Sequence, residues 1–523
     1  MTQTVDCFRA RLDAMRGWPT RWPRARAIDL RHSLAVLTTR LPWSQLEAAL
    51  APIWRRNVRE GILPEGEDLF GSGGGVLVGA GVSHAGRARL PIRLMCSLLY
   101  LKHAFNLSDE ETCERWAENV VWQYFSGMDY YEPRLPCDAT QIGRFRTGIG
   151  EAGMQAILKA TIDTAVTSKA INPAEFERII VDSTVQEKAI AYPVDSRLLE
   201  IARHKIVVHA KRCGIALRQS FAKEGKTLKR KAGGYAHAKQ FKRLQRTVKR
   251  QRTIVGKLIR EVRSRLSTGA FNAAVAPTTE AGLRGGLGPG PLAALNILLE
   301  RADRIRTQQP KDKNKLYALH APEVECISKG KARNRYEFGV KVSLAVTHKQ
   351  GLMVGAKRFV GNPYDGHTLA AQISQSNELI KGAGSEVKQA FVDLGYRGVD
   401  ADNPGIEVVH RGRIKSMNER QKRLLKRRQA IEPAIGHVKH DNRMIRCYLH
   451  GSIGDALHAI SCAAGYNIRW LMRAIMRLGL RGLFALVFLA SWLTDMLRSR
   501  LRKARTANDT RPIPPIHLYC GLT

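Results

Sequence analysis

Apolar residues recur every three or four positions at Leu94, Leu98, Leu101 and Phe105, within LPIRLMCSLLYLKHAFNLSDEETCERWAENVVWQYFSG (90–127). That period predicts amphipathic helices. Ser108, with Glu111 three residues on, has the form of a capping box opening a second helix. Residues 1–160 therefore read as a helical domain, with Trp116, Trp122 and Tyr124 as core aromatics. The pattern then changes. ERIIVDSTV (177–185) is a continuous β-branched apolar run and predicts a buried strand. YEFGVKVSLAVTH (336–348) and LMVGAKRFV (352–360) read as strands around a turn at 349–351, and KQAFVDLGYRG (388–398) and IEVVH (406–410) as two more. DGHTLAAQISQSNELIK (365–381) predicts a helix capped by Asp365. Residues 418–445 read as a helix interrupted at Pro433, and 452–477 as a closing helix. Strands alternating with helices over 170–475 imply a mixed α/β layer, with helices on both faces of one sheet.

A basic stretch separates the first two strands. From His204 to Arg265 there are 20 Lys or Arg against two acids, Glu224 and Glu261. Apolar positions persist at Phe241, Leu244, Val248, Ile254, Leu258, Ile259 and Val262. Amphipathic basic helices follow, with a hairpin near Gly233 and Gly234. Long charged helices do not fit inside a sheet, so 204–330 reads as an insertion. STGAFNAAVAPTTEAGLRGGLGPGP (267–291) is a Gly- and Pro-rich loop. GSGGGVLVGAGVSHAG (71–86) lacks the Gly-Lys-Ser/Thr of a phosphate loop and reads as a connector. The apolar run Leu483–Leu493 falls short of the ~20 residues that span a bilayer, so it reads as a buried helix in a tail over 476–523.

Charge sharpens the picture. Lys and Arg total 85 and Asp and Glu 46, a formal charge of +39 and a pI of about 10.3. Such a chain calls for a polyanionic partner, nucleic acid first and an anionic membrane surface second. Hydrophobic content of 44% excludes a disordered or collagenous chain. The nine cysteines form no CxxC pair, which gives no metal-site spacing and fits a reducing interior. The first residues have no apolar core, so a secretory signal is absent and a cytoplasmic protein is expected.

Three acids carry the candidate chemistry. Asp182 and Asp393 stand at the carboxyl ends of predicted strands, where open α/β sheets bind ligands. Glu432 sits near a helix start. Each alone is as readily a turn or cap residue. Carboxylates converging at one place repel one another, a repulsion relieved by divalent cations such as Mg²⁺, which prefers oxygen ligands. Two ions ~4 Å apart align attacking and leaving oxygens at phosphorus, so the chemistry is phosphodiester cleavage or transfer. Arg428 lies four residues before Glu432 and Lys439 seven after, on one helical face if the helix is continuous. If Pro433 breaks it, Arg428 approaches from a separate helix, and a solvated charged face is the plain alternative. Lys229, Arg230, Lys242, Arg243, Lys249 and Arg250 form a phosphate-contacting surface. Tyr396 and Arg397 are placed to contact an unpaired base or phosphate, and His367 serves either the site or a helix start.

These segments resemble bacterial insertion-sequence transposases of the DDE type, the insertion sequence 5 group. VDSTVQEKAIAYPVDSRLL (181–199) is similar to the block holding that family's first Asp, and VDLGYRG (392–398) to its second-Asp motif. ECISKGKARNRYEFGVKVSLAV (325–346) and GNPYDGHTLA (361–370) resemble its intervening blocks, and LPIRLMCSLLYLKHAFNLSDEE (90–111) its N-terminal domain. Arg428, Glu432 and Lys439 match the family's Arg-(3)-Glu-(6)-Lys spacing, whereas the family's Tyr is replaced by Leu425. The resemblance implies an RNase H-like catalytic domain over 170–475 and a helical DNA-binding domain over 1–160. It implies Mg²⁺ or Mn²⁺ at Asp182, Asp393 and Glu432, cleavage at the element's ends, and attack of the 3′-hydroxyls on target DNA. Partners would be terminal inverted repeats, target DNA and further copies of the chain, with no membrane, in a bacterial cytoplasm at the nucleoid. A DNA-binding protein derived from a transposase but without catalysis, or a metal-dependent nuclease, are the other readings.

Overall fold

The computed structural model describes residues 28–54, 89–268, 290–328, 335–398 and 403–479, with Thr494 and Met496. The connector at 71–86, the apolar run at 483–493 and most of the 267–291 loop lie outside the described residues. The described residues form two compact units, one within 1–177, 379–386 and 463–523, the other within 178–378 and 387–462.

The first unit is helical. Its described helices begin with α1 (Ser33–Arg40), α2 (Trp43–Leu50), α3 (Ile92–Ala104), α4 (Asp109–Glu118), α5 (Val120–Phe125) and α6 (Ala139–Thr167). The expected capping box is present: Ser108 Oγ accepts from the Glu111 N–H, and Glu111 accepts from the Ser108 N–H. Trp43, Tyr100 and Phe125 pack edge to face in the core, and Tyr100 donates its hydroxyl to the Ile157 carbonyl. Trp116 and Trp122 are buried as expected, while Tyr124 is only partly so. Gly150 (φ 61°) kinks α6, a conformation open to glycine.

The second unit is a mixed α/β structure. Its sheet comprises β1 (Arg178–Glu187), β2 (Glu325–Ser328), β3 (Tyr336–Thr347), β4 (Met353–Phe359), β5 (Gln389–Phe391) and β6 (Glu407–Val409). The order β2-β3-β1-β5-β6 places β1 centrally, and β4 pairs with a further stretch of β3. β3 runs antiparallel to β1, with Asp182 opposite Leu344. β5 runs parallel to β1, with Ile180 beside Phe391, and β6 parallel to β5.

Helices lie on both faces of this sheet. Gly355 of β4 pairs with Ala345, and Ala345 with Val181, so these share a face. There α11 (Leu369–Ile380) brings Gln372 against Gly355. Gln186, five residues past Val181, points the other way and donates to the Asp455 carbonyl of α14 (Gly451–Arg477). At Gly339 the two central strands approach so closely that a Cβ would lie 2.0 Å from the Gln186 carbonyl oxygen. Backbone cannot swing aside, so Gly339→Ala should destabilise the unit by about 3 kcal/mol or more, read as a lowered midpoint in denaturant titration.

Several expectations need correction. The inserted helices start at Asp195: α7 (Asp195–Arg212), α8 (Ala222–His237), α9 (Phe241–Ser267) and α10 (Pro291–Thr307). They pack around a core of their own, with Ile206, Leu258 and Leu299 at its centre. The hairpin turn lies at 238–240, where Lys239 takes φ 55°, and not at Gly233 and Gly234, which stay inside α8. A helical glycine costs only about 1 kcal/mol, too little to end a packed helix. β2 belongs to the sheet although it falls within the expected insertion. The strand expected over 388–398 ends at Phe391, because Asp393 turns the chain. Asp365 caps no helix: residues 365–368 form a 3₁₀ turn, and its carboxylate pairs with Lys341. Pro433 interrupts nothing. The chain tightens into a 3₁₀ turn at Arg427–Ala430, between α12 (Glu419–Lys426) and α13 (Ile431–Asp441). As the third residue of α13, Pro433 forfeits an N–H that has no intrahelical partner anyway.

Candidate active site

Asp182 lies near the middle of β1, and Asp393 two residues beyond the end of β5. The parallel register of Ile180 with Phe391 puts each aspartate two residues past a matched pair, hence toward the same side. Their carboxylates are held locally. Asp182 Oδ1 accepts from the Ser183 N–H at 2.8 Å, and Asp393 Oδ1 accepts from the Gly395 N–H at 2.8 Å. The second bond is an Asx turn, which is why the strand stops there.

α13 packs on β1 and brings the third acid. Arg428 Nη1 lies 3.9 Å from Asp182 Oδ2, and its Nη2 lies 3.6 Å from Glu432 Oε1. These contacts are electrostatic, too long for hydrogen bonds. The guanidinium is 12% exposed and Asp182 19%, whereas Glu432 is 64% exposed and free to change rotamer. Because the backbone stays near-helical through Arg427–Ala430, Arg428 and Glu432 share a face, and Lys439 follows seven residues on. Lys439 is partly buried. Among the described residues no three carboxylates stand within 4.8 Å of one another. In this state a guanidinium, set between two acids, offsets their charge.

Tyr396 departs from expectation. Its side chain is 1% exposed, so it belongs to the core and cannot stack on a base. Burial first, then the negative charges of Asp182 and Asp365, lift its pKa well above the ordinary tyrosine range, and Asp393 adds to this. The hydroxyl therefore stays protonated among three carboxylates. Asp365 is the acid that sequence reasoning missed, having assigned it to a cap. Lys341 donates to Asp365 Oδ1 (2.9 Å) and to the Pro363 carbonyl (2.6 Å). A Cβ on Gly395 would meet Asp393 Oδ1 at 3.0 Å and Asp365 Oδ2 at 3.2 Å, so both oxygens converge on that glycine. The only sequence signal was position: Asp365 lies inside the block GNPYDGHTLA. His367 is exposed and packs edge-on to Tyr364 at 5.5 Å. Arg397 is exposed beside the turn, and its carbonyl accepts from the Tyr364 hydroxyl.

The basic residues divide. Lys229, Arg230, Lys242 and Lys249 are exposed on α8 and α9. Arg243, also exposed, donates to Gln240. Arg250 is committed to Glu224 through two bonds of 2.7 and 3.1 Å, which tie α9 to α8. An arginine so engaged is a strut between helices, not a spare phosphate ligand. Among the described residues, no helix is long and apolar enough to cross a membrane.

Residues 77–148 match the family described as a transposase domain (DUF772). The chain is also 36% identical over 236 residues to an uncharacterized protein, ORF8 in the nfe locus of Rhizobium meliloti, a span covering 45% of this chain and 95% of that one. The chain belongs to the family of this rhizobial protein and is transposase-like. No solved structure matches it. In this transposase-like protein the matched domain holds α3, α4, α5 and the start of α6. Asp182, Asp393 and Glu432 all fall outside it.

Proposed function

We propose that the protein is a DDE-type transposase of the insertion sequence 5 group, which cleaves the ends of its element and joins their 3′-hydroxyls to target DNA. One observation carries the reading: Arg428 lies between Asp182 and Glu432, acids 250 positions apart in the chain, 3.9 Å from the first and 3.6 Å from the second. The strand order supports an RNase H-like catalytic unit, with β3 antiparallel and β5 parallel to a central β1 that bears the first acid.

The donor set fits a hard divalent cation. All candidate ligands are carboxylate oxygens, and Glu432, 64% exposed, has room to change rotamer. Asp182, Asp393 and Glu432 would hold Mg²⁺ or Mn²⁺, which when bound supplies Lewis-acid stabilisation of charge at phosphorus. Arg428, released from the two acids it offsets, then has its fork of N–H donors free for a non-bridging phosphate oxygen. Lys439 would hold a flanking phosphate, and Arg397 the strand beside Asp393. Lys229, Arg230, Lys242, Arg243 and Lys249 would contact the duplex backbone without reading sequence. Terminal-repeat recognition is assigned to the helical unit that carries the matched domain. Both ends must be held at once, so the working form is a homo-oligomer at the bacterial nucleoid.

The test is a joining assay with the element's own pre-cleaved ends and a plasmid target. Joined product that requires Mg²⁺ or Mn²⁺ is the expected outcome. Nicks without joining would instead identify a nuclease, and binding without either would identify a catalytically silent relative.

A further inference from the structure

The inserted helices leave an open groove of about 810 Å³ between α7 and α8. Arg197 and Lys205 line it from α7, and Lys226, Lys229 and Arg230 from α8. Its one acid, Glu200, is taken up by the neighbouring Arg203, through bonds of 2.8 Å from Nε and Nη2. The five lining cations thus face one another with no carboxylate of the groove left to offset them. Like charges gathered in a concavity cost self-repulsion unless an anion enters, and a cleft focuses their field on that anion. Arg250 and Arg252 of α9, by contrast, are paired with Glu224 and Asp195.

We propose that this α7–α8 groove is a docking site for the phosphate backbone of duplex DNA. It extends the DNA-binding part of the proposed function, yet it stands on the groove's charge and shape and does not depend on the acids. No Phe, Tyr or Trp lines the groove, and His204 is the one ring in its lining. Single-strand binders stack bases on aromatic rings, so this lining suits the backbone of a duplex, read without regard to sequence. Gly233 also lines the groove, and nothing lies within 4 Å of where its Cβ would be. Gly234 has equal space but does not line it.

Two sets of variants test this in the full chain, with duplex and single-stranded oligonucleotides as probes across a salt series. The triple variant K226Q/K229Q/R230Q should weaken duplex binding at least tenfold at moderate salt. It should flatten the log K against log salt slope by roughly 3, about 0.9 for each phosphate no longer neutralised. Gly233→Trp fills the groove without altering charge, and it replaces a helical glycine, so it does not fail by unfolding. It should lose duplex affinity at least tenfold while Gly234→Trp retains it. Equal loss from both tryptophan variants, an unchanged salt slope in the triple variant, or tighter binding of single strands than of duplex would each overturn the proposal. A wild-type protein that binds duplex through the groove but cleaves nothing would leave it standing and remove the transposase reading instead.

Discussion

Asp182→Asn is expected to reduce DNA cleavage and joining roughly a thousandfold while leaving duplex affinity within about twofold. The size follows from what the carboxylate supplies. Charge stabilisation by a bound cation is worth several kcal/mol at the transition state, and each 1.36 kcal/mol is a factor of ten. An amide of the same shape keeps the Ser183 N–H contact but surrenders the charge that would hold the ion. It also frees Arg428 from one of its two acids, so DNA binding has no reason to fall. Plasmid cleavage and a gel-shift titration on the same preparation separate the two effects. An Asn variant that cleaves at the normal rate would sink the assignment of Asp182, and with it the shared site.

Lys188→Met has the largest expected effect on stability. Lys188 is 5% exposed and lies 2.7 Å from Oδ1 of the fully buried Asp455 and 2.8 Å from Oε1 of the partly buried Glu323. One ammonium serves two acids, and the bond to α14 fixes that helix against the end of β1. Breaking a buried pair by removing one partner costs about 3–5 kcal/mol, since an uncompensated charge is left inside. Methionine fills the space but leaves both carboxylates without their cation. The pH dependence gives a signature. Burial already raises the Asp455 pKa above the ordinary carboxylate range despite Lys188. Without the lysine it rises further, so the folded variant binds a proton that the unfolded chain binds less readily. The deficit should be greatest near neutral pH and shrink as pH falls toward the raised pKa. Chemical denaturation at pH 7 and pH 5 measures it, and an equal loss at both would show that packing, not charge, sets the cost.

Much of the secondary structure was legible because its causes are local. The Ser108–Glu111 box and the apolar period around Leu94 to Phe105 announce helices within a few residues. The β-branched run before Asp182 announces a strand in the same way. Errors cluster where a distant partner overrode a local rule. Asp365 looked like a helix cap, and Lys341 from another strand claimed it. Tyr396 looked exposed beside a turn, and packing buried it among acids. Arg250 looked like one cation among many, until Glu224 on the preceding helix engaged it.

Composition, period and charge are properties of neighbours along the chain. From them follow a helical first unit, a strand-and-helix second unit with a basic insertion, and the need for a polyanionic partner. Which distant side chains come near one another is a different kind of fact. It depends on β1 pairing with β5 in parallel register and on α13 settling against β1, so that Arg428 reaches two acids from separate elements. Long-range pairing is set by the packing of whole elements, and no local pattern encodes it. The groove between α7 and α8 belongs to that class too, since its cations converge only once the inserted helices have closed around their own core.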